Sequence, residues 1–151
     1  MPVTGCDPPA GLGRHGPDGR ADYTLSLALP RSGADDRSAE EWARAVFESP
    51  PSVLRWTLVA GWTTFGFRPR ASSATHVLSW AIQESSPGTL VMAQQSRLMA
   101  AQNVVSVDRN GVTWSTLVAY RSPVGALLWS IAAPIHERLT PLLLMRAAAR
   151  L

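Results

Sequence analysis

Apolar and polar positions alternate along the chain with two different periods, and the order in which the periods appear predicts an architecture. Residues 21–29 (ADYTLSLAL) set Tyr23, Leu25, Leu27 and Leu29 against smaller or polar neighbours, the period of a half-buried strand. After the polar stretch Arg31–Arg37, Ser38 with Glu41 three residues on has the form of a helix capping box. Trp42, Ala45, Val46 and Phe47 then supply an apolar helix face that Ser49-Pro50-Pro51 ends. A second helix is expected from about Ser52 to Thr64, with Leu54, Leu58, Ala60 and Trp62 on it, and then a loop from Phe65 to Thr75.

From Val77 the period changes to two. Leu78, Trp80 and Ile82 alternate with polar or small residues, Ser85-Ser86-Pro87-Gly88 reads as a turn, and Thr89–Gln95 as the returning strand. Leu98–Val107 and Val112–Tyr120 form the clearest hairpin, because Asn110-Gly111 is the preferred pair for a two-residue type I′ turn. That turn sets Val107 opposite Trp114, Val105 opposite Thr116, Asn103 opposite Val118 and Ala101 opposite Tyr120. The shared face carries three polar groups, on Asn103, Thr116 and Tyr120. Ser122-Pro123 opens a last helix in which Leu128, Ile131, Ile135, Leu139 and Leu142 recur at spacings of three and four, an apolar stripe. Pro134 and Pro141 each remove a backbone donor and predict kinks. The expected fold is α+β: a curved antiparallel sheet of about five strands or more gripping a long C-terminal helix, with two short helices after the first strand.

Composition narrows the picture. At 151 residues, 46% of them hydrophobic and 17% charged, the chain has material for one sizeable core. No apolar run is long enough for a transmembrane helix. Residues 1–20 are rich in glycine and proline, lack an apolar segment of the signal-peptide kind, and read as a flexible leader before a single domain over 21–151. The single Cys6 allows no disulfide within one chain, and a cytoplasmic location is expected. All basic residues are arginine, spread from Arg14 to Arg150 with only Arg68 and Arg70 close together, so no nucleic-acid partner is expected.

Candidate chemistry is sparse. Gly11, Gly13 and Gly16 spell G-x-G-x-x-G, but prolines flank it where a dinucleotide site needs a strand and a helix. His76 and His136 lack metal-ligand spacing, and Glu84 and Asp108 sit at strand ends beside turns, so neither a metal nor a cofactor is expected. The six tryptophans and the polar groups of the sheet face suit an apolar ligand cavity. The expected lining is Trp80, Asn103, Trp114, Thr116, Tyr120, Leu128, Ile131 and Ile135, with His136 at the rim.

The run Pro134-Ile135-His136 followed by the Leu/Arg/Ala-rich Leu142–Ala148 resembles the C-terminal end of the uncharacterised actinobacterial DUF2867 family. Residues 76–82 (HVLSWAI) and 115–118 (STLV) are similar to strands of that group. The resemblance implies a helix-grip fold of the START/Bet v 1 kind, whose members often bind lipids or other apolar molecules between sheet and helix. The expected function is therefore binding of an apolar or lipid-like small molecule under the C-terminal helix. Two alternatives stand beside it: an enzyme of cyclase or hydrolase type using His136 with Tyr120 or Asn103, and a protein-interaction module with an apolar groove.

Overall fold

A computed structural model of the protein describes residues 2–9 and 16–151. Gly11 and Gly13 of the glycine motif lie outside the described residues. The elements in chain order are β1 (Thr4–Gly5), β2 (Tyr23–Pro30), a 3-10 turn (Ala34–Asp36), α1 (Ala39–Glu48), α2 (Ser52–Thr64), β3 (His76–Val77), β4 (Trp80–Ser86), β5 (Thr89–Gln95), β6 (Met99–Asp108), β7 (Gly111–Tyr120) and α3 (Pro123–Arg150). The strands form one antiparallel, open sheet of seven in the order β1-β2-β7-β6-β5-β4-β3. The fold is thus α+β, a curved sheet held against a long C-terminal helix.

The five long strands are those the alternation predicts; the other two are short additions at the edges. β1 comes from the segment expected to be an unstructured leader. Thr4 and Gly5 pair with Ala28 and Leu27, and the Cys6 amide donates to the Ser26 carbonyl at 3.0 Å. Farther along, Asp18 takes a two-pronged bond from Arg121 at 2.7 and 2.9 Å, which holds its carboxyl below the usual carboxylate range. Backbone pairing needs no apolar side chain, which is why hydrophobic periodicity does not reveal β1. β3 arises because the expected strand from Val77 onward folds back on itself. Val77 pairs with Trp80 and His76 with Ala81 across a two-residue turn in which Leu78 and Ser79 both have positive φ (37° and 76°).

The β6–β7 hairpin keeps its predicted faces but not its predicted turn. The central pair is Arg109-Asn110, and the register is Val107↔Val112, Val105↔Trp114, Asn103↔Thr116, Ala101↔Val118 and Met99↔Tyr120. The ladder is therefore displaced by two residues from the type I′ expectation, which preserves every side chain's face. The reason is local: the Asp108 carboxylate accepts from the backbone amides of Asn110 (2.7 Å) and Gly111 (3.1 Å), an Asx-type turn that competes with the Asn-Gly pair.

α1 forms as the capping box predicts. The Glu41 amide donates to Ser38 Oγ at 3.2 Å while Glu41 accepts from the Ser38 amide at 2.7 Å. Its buried face (Ala39, Trp42, Ala43, Val46, Phe47) packs into the core, and the Trp42 indole donates to the Ala34 carbonyl at 3.0 Å. Arg44 bridges Glu40 (2.8 Å) and Glu48 (2.9 Å) on the same helix and donates to the Ser73 carbonyl, which ties the helix to the loop before β3.

α3 runs unbroken from Pro123 to Arg150 through both internal prolines, with Ser122 Oγ capping the Gly125 amide at 3.0 Å. The face it turns inward differs from the predicted stripe. Gly125, Trp129, Thr140, Leu143, Leu144 and Ala147 are buried, whereas Ile131 and Ile135 are each 65% exposed and Leu142 is 58% exposed. Contact at the helix start sets this rotation. A β-carbon on Gly125 would lie 2.1 Å from the Leu98 carbonyl oxygen, so only glycine lets the first turn sit against the β5–β6 connection. From that contact the positions at spacings of three and four fall on Trp129, Ala132, His136 and Thr140. Val124, Leu127, Ile131, Ile135, Leu142 and Met145 are left as an exposed apolar row.

Candidate functional site

Between the concave side of the sheet, α1, α2 and α3 lies a cavity of about 70 Å³. The sheet supplies Trp80 from β4, Met99, Ala101 and Asn103 from β6, and Trp114, Thr116 and Val118 from β7. Phe47 comes from α1, Leu58 and Trp62 from α2, Phe65 and Phe67 from the segment after it, and Trp129, His136, Leu139, Thr140 and Leu143 from α3. The aromatic wall is interlocked. Phe47 stacks on Trp80 with centroids 6.1 Å apart and meets Trp62 and Trp114 edge-on at 5.2 and 5.4 Å.

Two sets of polar groups stand out in this wall, beside Thr140, whose hydroxyl donates to the His136 carbonyl at 2.8 Å. The first is bonded among its own members. Asn103 Oδ1 accepts from Trp114 Nε1 at 3.2 Å and from the Thr116 hydroxyl at 2.6 Å. Because an indole N–H only donates, this geometry fixes the oxygen of the Asn103 amide toward Trp114 and leaves its NH₂ outside both bonds. The second set has no partner among the described residues: Trp80 Nε1, Trp129 Nε1 and His136 Nδ1 are all enclosed and unsatisfied. An unmet buried donor or acceptor costs about 1–3 kcal/mol, so three in one wall mark a place where the fold gives up stability.

His136 is half-buried as a residue, with its ring against Trp129 (centroids 5.2 Å) and Tyr23 (6.3 Å). Burial pushes its pKa down to about 4, against a small opposing pull from the Glu137 carboxylate, so the imidazole is neutral at physiological pH. Tyr23 donates its hydroxyl to Glu137 Oε1 at 2.9 Å; burial and this carboxylate raise the phenol's pKa. The cavity wall therefore contains no charged group.

Of the residues expected to line a site, Trp80, Asn103, Trp114, Thr116 and His136 do line the cavity, and Tyr120, Leu128, Ile131 and Ile135 do not. Ile131 and Ile135 are corrected by the rotation of α3, which turns them to solvent. Leu128 packs on the core beside the cavity, and Tyr120 lies opposite Met99 at the strand end. Pattern reading omits Phe65 and Phe67, which are 7% and 5% exposed although they fall in a segment expected to be a loop. Two phenylalanines flanking Gly66, just ahead of Arg68 and Arg70, are the signal that was present. His76 does not meet His136: it bonds Thr75 through Nδ1 at 2.9 Å and borders a groove elsewhere. No group of three or more metal-ligating side chains occurs among the described residues.

The chain matches no protein-family model, no curated protein and no solved structure.

Proposed function

We propose that the protein binds a small, uncharged, largely apolar molecule carrying a hydrogen-bond acceptor, held between the sheet and helices α2 and α3. One observation carries this reading: two indole N–H groups and an imidazole nitrogen, enclosed and unpartnered, belong to the wall of a single aromatic cavity. Indole nitrogens donate only, so their complement is an oxygen acceptor such as a carbonyl or ether. A carboxylate is disfavoured, because no cation in the wall repays its desolvation. This narrows the lipid-like ligand of the helix-grip resemblance to a neutral, acceptor-bearing one.

In the closed arrangement the cavity has room for about two waters, at roughly 30 Å³ each. A six-membered ring needs about 150 Å³, so entry requires a lining element to move outward. α2 suits this role. Only Leu58 and Val59 of its residues are buried, and its first turn has no side-chain cap. Binding also agrees better than acid–base catalysis with the imidazole, since a base with a pKa near 4 is weak at neutral pH.

The test compares acetophenone with α-methylstyrene, equal in shape but differing in the carbonyl oxygen, by titration against tryptophan fluorescence. Acetophenone is expected to bind at least about tenfold tighter, the worth of one good hydrogen bond in a closed site. Trp80→Phe should erase most of that preference. Ala101→Leu should fill the cavity and abolish binding of both compounds without loss of stability, whereas in a solid core it would overpack at a cost of about 1–3 kcal/mol. Absence of saturable binding by either compound, together with strong destabilisation by Ala101→Leu, would overturn the proposal.

A further inference from the structure

A second concavity, separate from the aromatic cavity, lies across the other side of the sheet at its β4–β6 end. It is an open groove of about 1050 Å³. Its border includes Arg68 and Arg70 from the segment after α2, Arg97 from the β5–β6 connection, Arg121 after β7, and His76. Four arginines from three separate stretches of the sequence thus converge on one groove, and among the described residues no Asp or Glu lines it.

The charge balance within the groove is uneven. Arg121 is spent inside the protein: it holds Asp18 through two bonds, the Ser96 carbonyl at 3.0 Å and Gln95 Oε1 at 3.1 Å. Arg68, Arg70 and Arg97 form no salt bridge among the described residues. The backbone under Arg70 is pinned. Ser79 Oγ accepts from the Arg70 amide at 3.0 Å and donates to the Arg70 carbonyl, and Ser72 Oγ caps the Leu78 amide. The turn that makes these bonds is the one with both residues at positive φ, a strained arrangement that persists only where its surroundings over-determine it. Arg121 also orients Gln95: because a guanidinium only donates, the Gln95 oxygen is turned to Arg121 and its NH₂ is left to other partners. Ala81, Ala93 and Ala100 give the floor small side chains, which leaves the groove open.

We infer that this groove binds a small molecule carrying two or more phosphate groups, of about nucleotide size. Guanidinium groups match phosphate oxygens in bidentate geometry, and three with no salt bridge among the described residues exceed what a single carboxylate would need. The volume matches the upper range of small-molecule sites. Among the described residues, no arginine besides these four lines the groove.

The experiment is calorimetric titration of the full chain at about 0.15 M salt with three probes: inorganic tripolyphosphate, ATP without metal, and a ten-nucleotide single strand. One-to-one binding of tripolyphosphate and ATP is expected, weakened about tenfold by each of Arg68→Ser, Arg70→Ser and Arg97→Ser. Arg109→Ser and Arg138→Ser, at other places on the surface, should leave it within about twofold of the parent. Melting temperature with and without tripolyphosphate gives a second reading on each variant. No saturable binding, or equal weakening by the distant variants, would overturn the inference by showing general charge attraction. An oligonucleotide that binds more than about tenfold tighter than tripolyphosphate would overturn the small-molecule assignment in favour of a nucleic-acid surface. None of these outcomes depends on the aromatic cavity.

Discussion

At Gly111 a β-carbon would stand 2.4 Å from the Leu29 carbonyl oxygen, because β2 crosses the start of β7 at that point and pairs Pro30 with Gly111. The glycine is required for close approach between strands, not for the positive φ that an Asn-Gly turn would demand. Gly111→Val should therefore cost about 1–3 kcal/mol by overpacking, and Gly111→Ala should already carry much of that. Chemical denaturation checks this, and an unaffected Gly111→Ala variant would show that β2 can move aside. His136 makes the other residue-scale prediction. Its pKa, lowered to about 4 in the fold against 6.5 in the unfolded chain, means that protonation favours unfolding. The neutral ring's contribution is intact above pH 6.5 and is lost as pH falls toward 4. Between pH 7 and 5 the loss should be about 2 kcal/mol, and His136→Phe should remove that part of the pH dependence. Both residues stand out in the sequence, but the reason each matters is a neighbour from a distant segment.

Among the elements, α3 shows where periodicity stops being informative. Both of its sides carry aliphatic residues at helical spacing, so the stripe Leu128, Ile131, Ile135, Leu139, Leu142 and the true buried row are equally regular. What breaks the tie is Gly125 against Leu98, a contact between residues whose proximity no local pattern encodes. Substitutions can tell the faces apart. Ile131→Gln and Ile135→Gln should each cost under about 0.5 kcal/mol, whereas Leu144→Ala, at a site with no exposure, should cost about 2–5 kcal/mol. Thermal melts of the three variants decide between the rows. The long strands and α1 were legible because apolar residues recur at the period of each element, and α1 also carries its own start signal. β1 and β3 were not, since two-residue strands leave no period to read. The cavity was half legible: alternation delivered Trp80, Asn103, Trp114 and Thr116, while the helix rotation and the Phe65–Phe67 segment depended on tertiary packing.

At the level of the whole molecule, the sheet order has a consequence for how the chain reaches its fold. β4 to β7 pair with their sequence neighbours, so this meander can assemble from local contacts. β2 is different. Its long partner is β7, and Tyr23 meets Val118 only after nearly the whole chain is available. During synthesis, which proceeds at about 5–20 residues per second, β2 leaves the ribosome well before β7 and waits several seconds for it. Throughout that interval Tyr23, Leu25, Leu27 and Leu29 form an alternating apolar strand whose β7-facing edge is open along its whole length, while β1 covers only Leu27 and Ala28 on the other, the kind of segment that other chains can capture. The final closure must also overcome the entropy of bringing β2 back across the intervening helices, which makes it the natural late step. The same pairing that joins β2 to β7 across most of the chain thus makes the nascent protein most vulnerable to aggregation at β2.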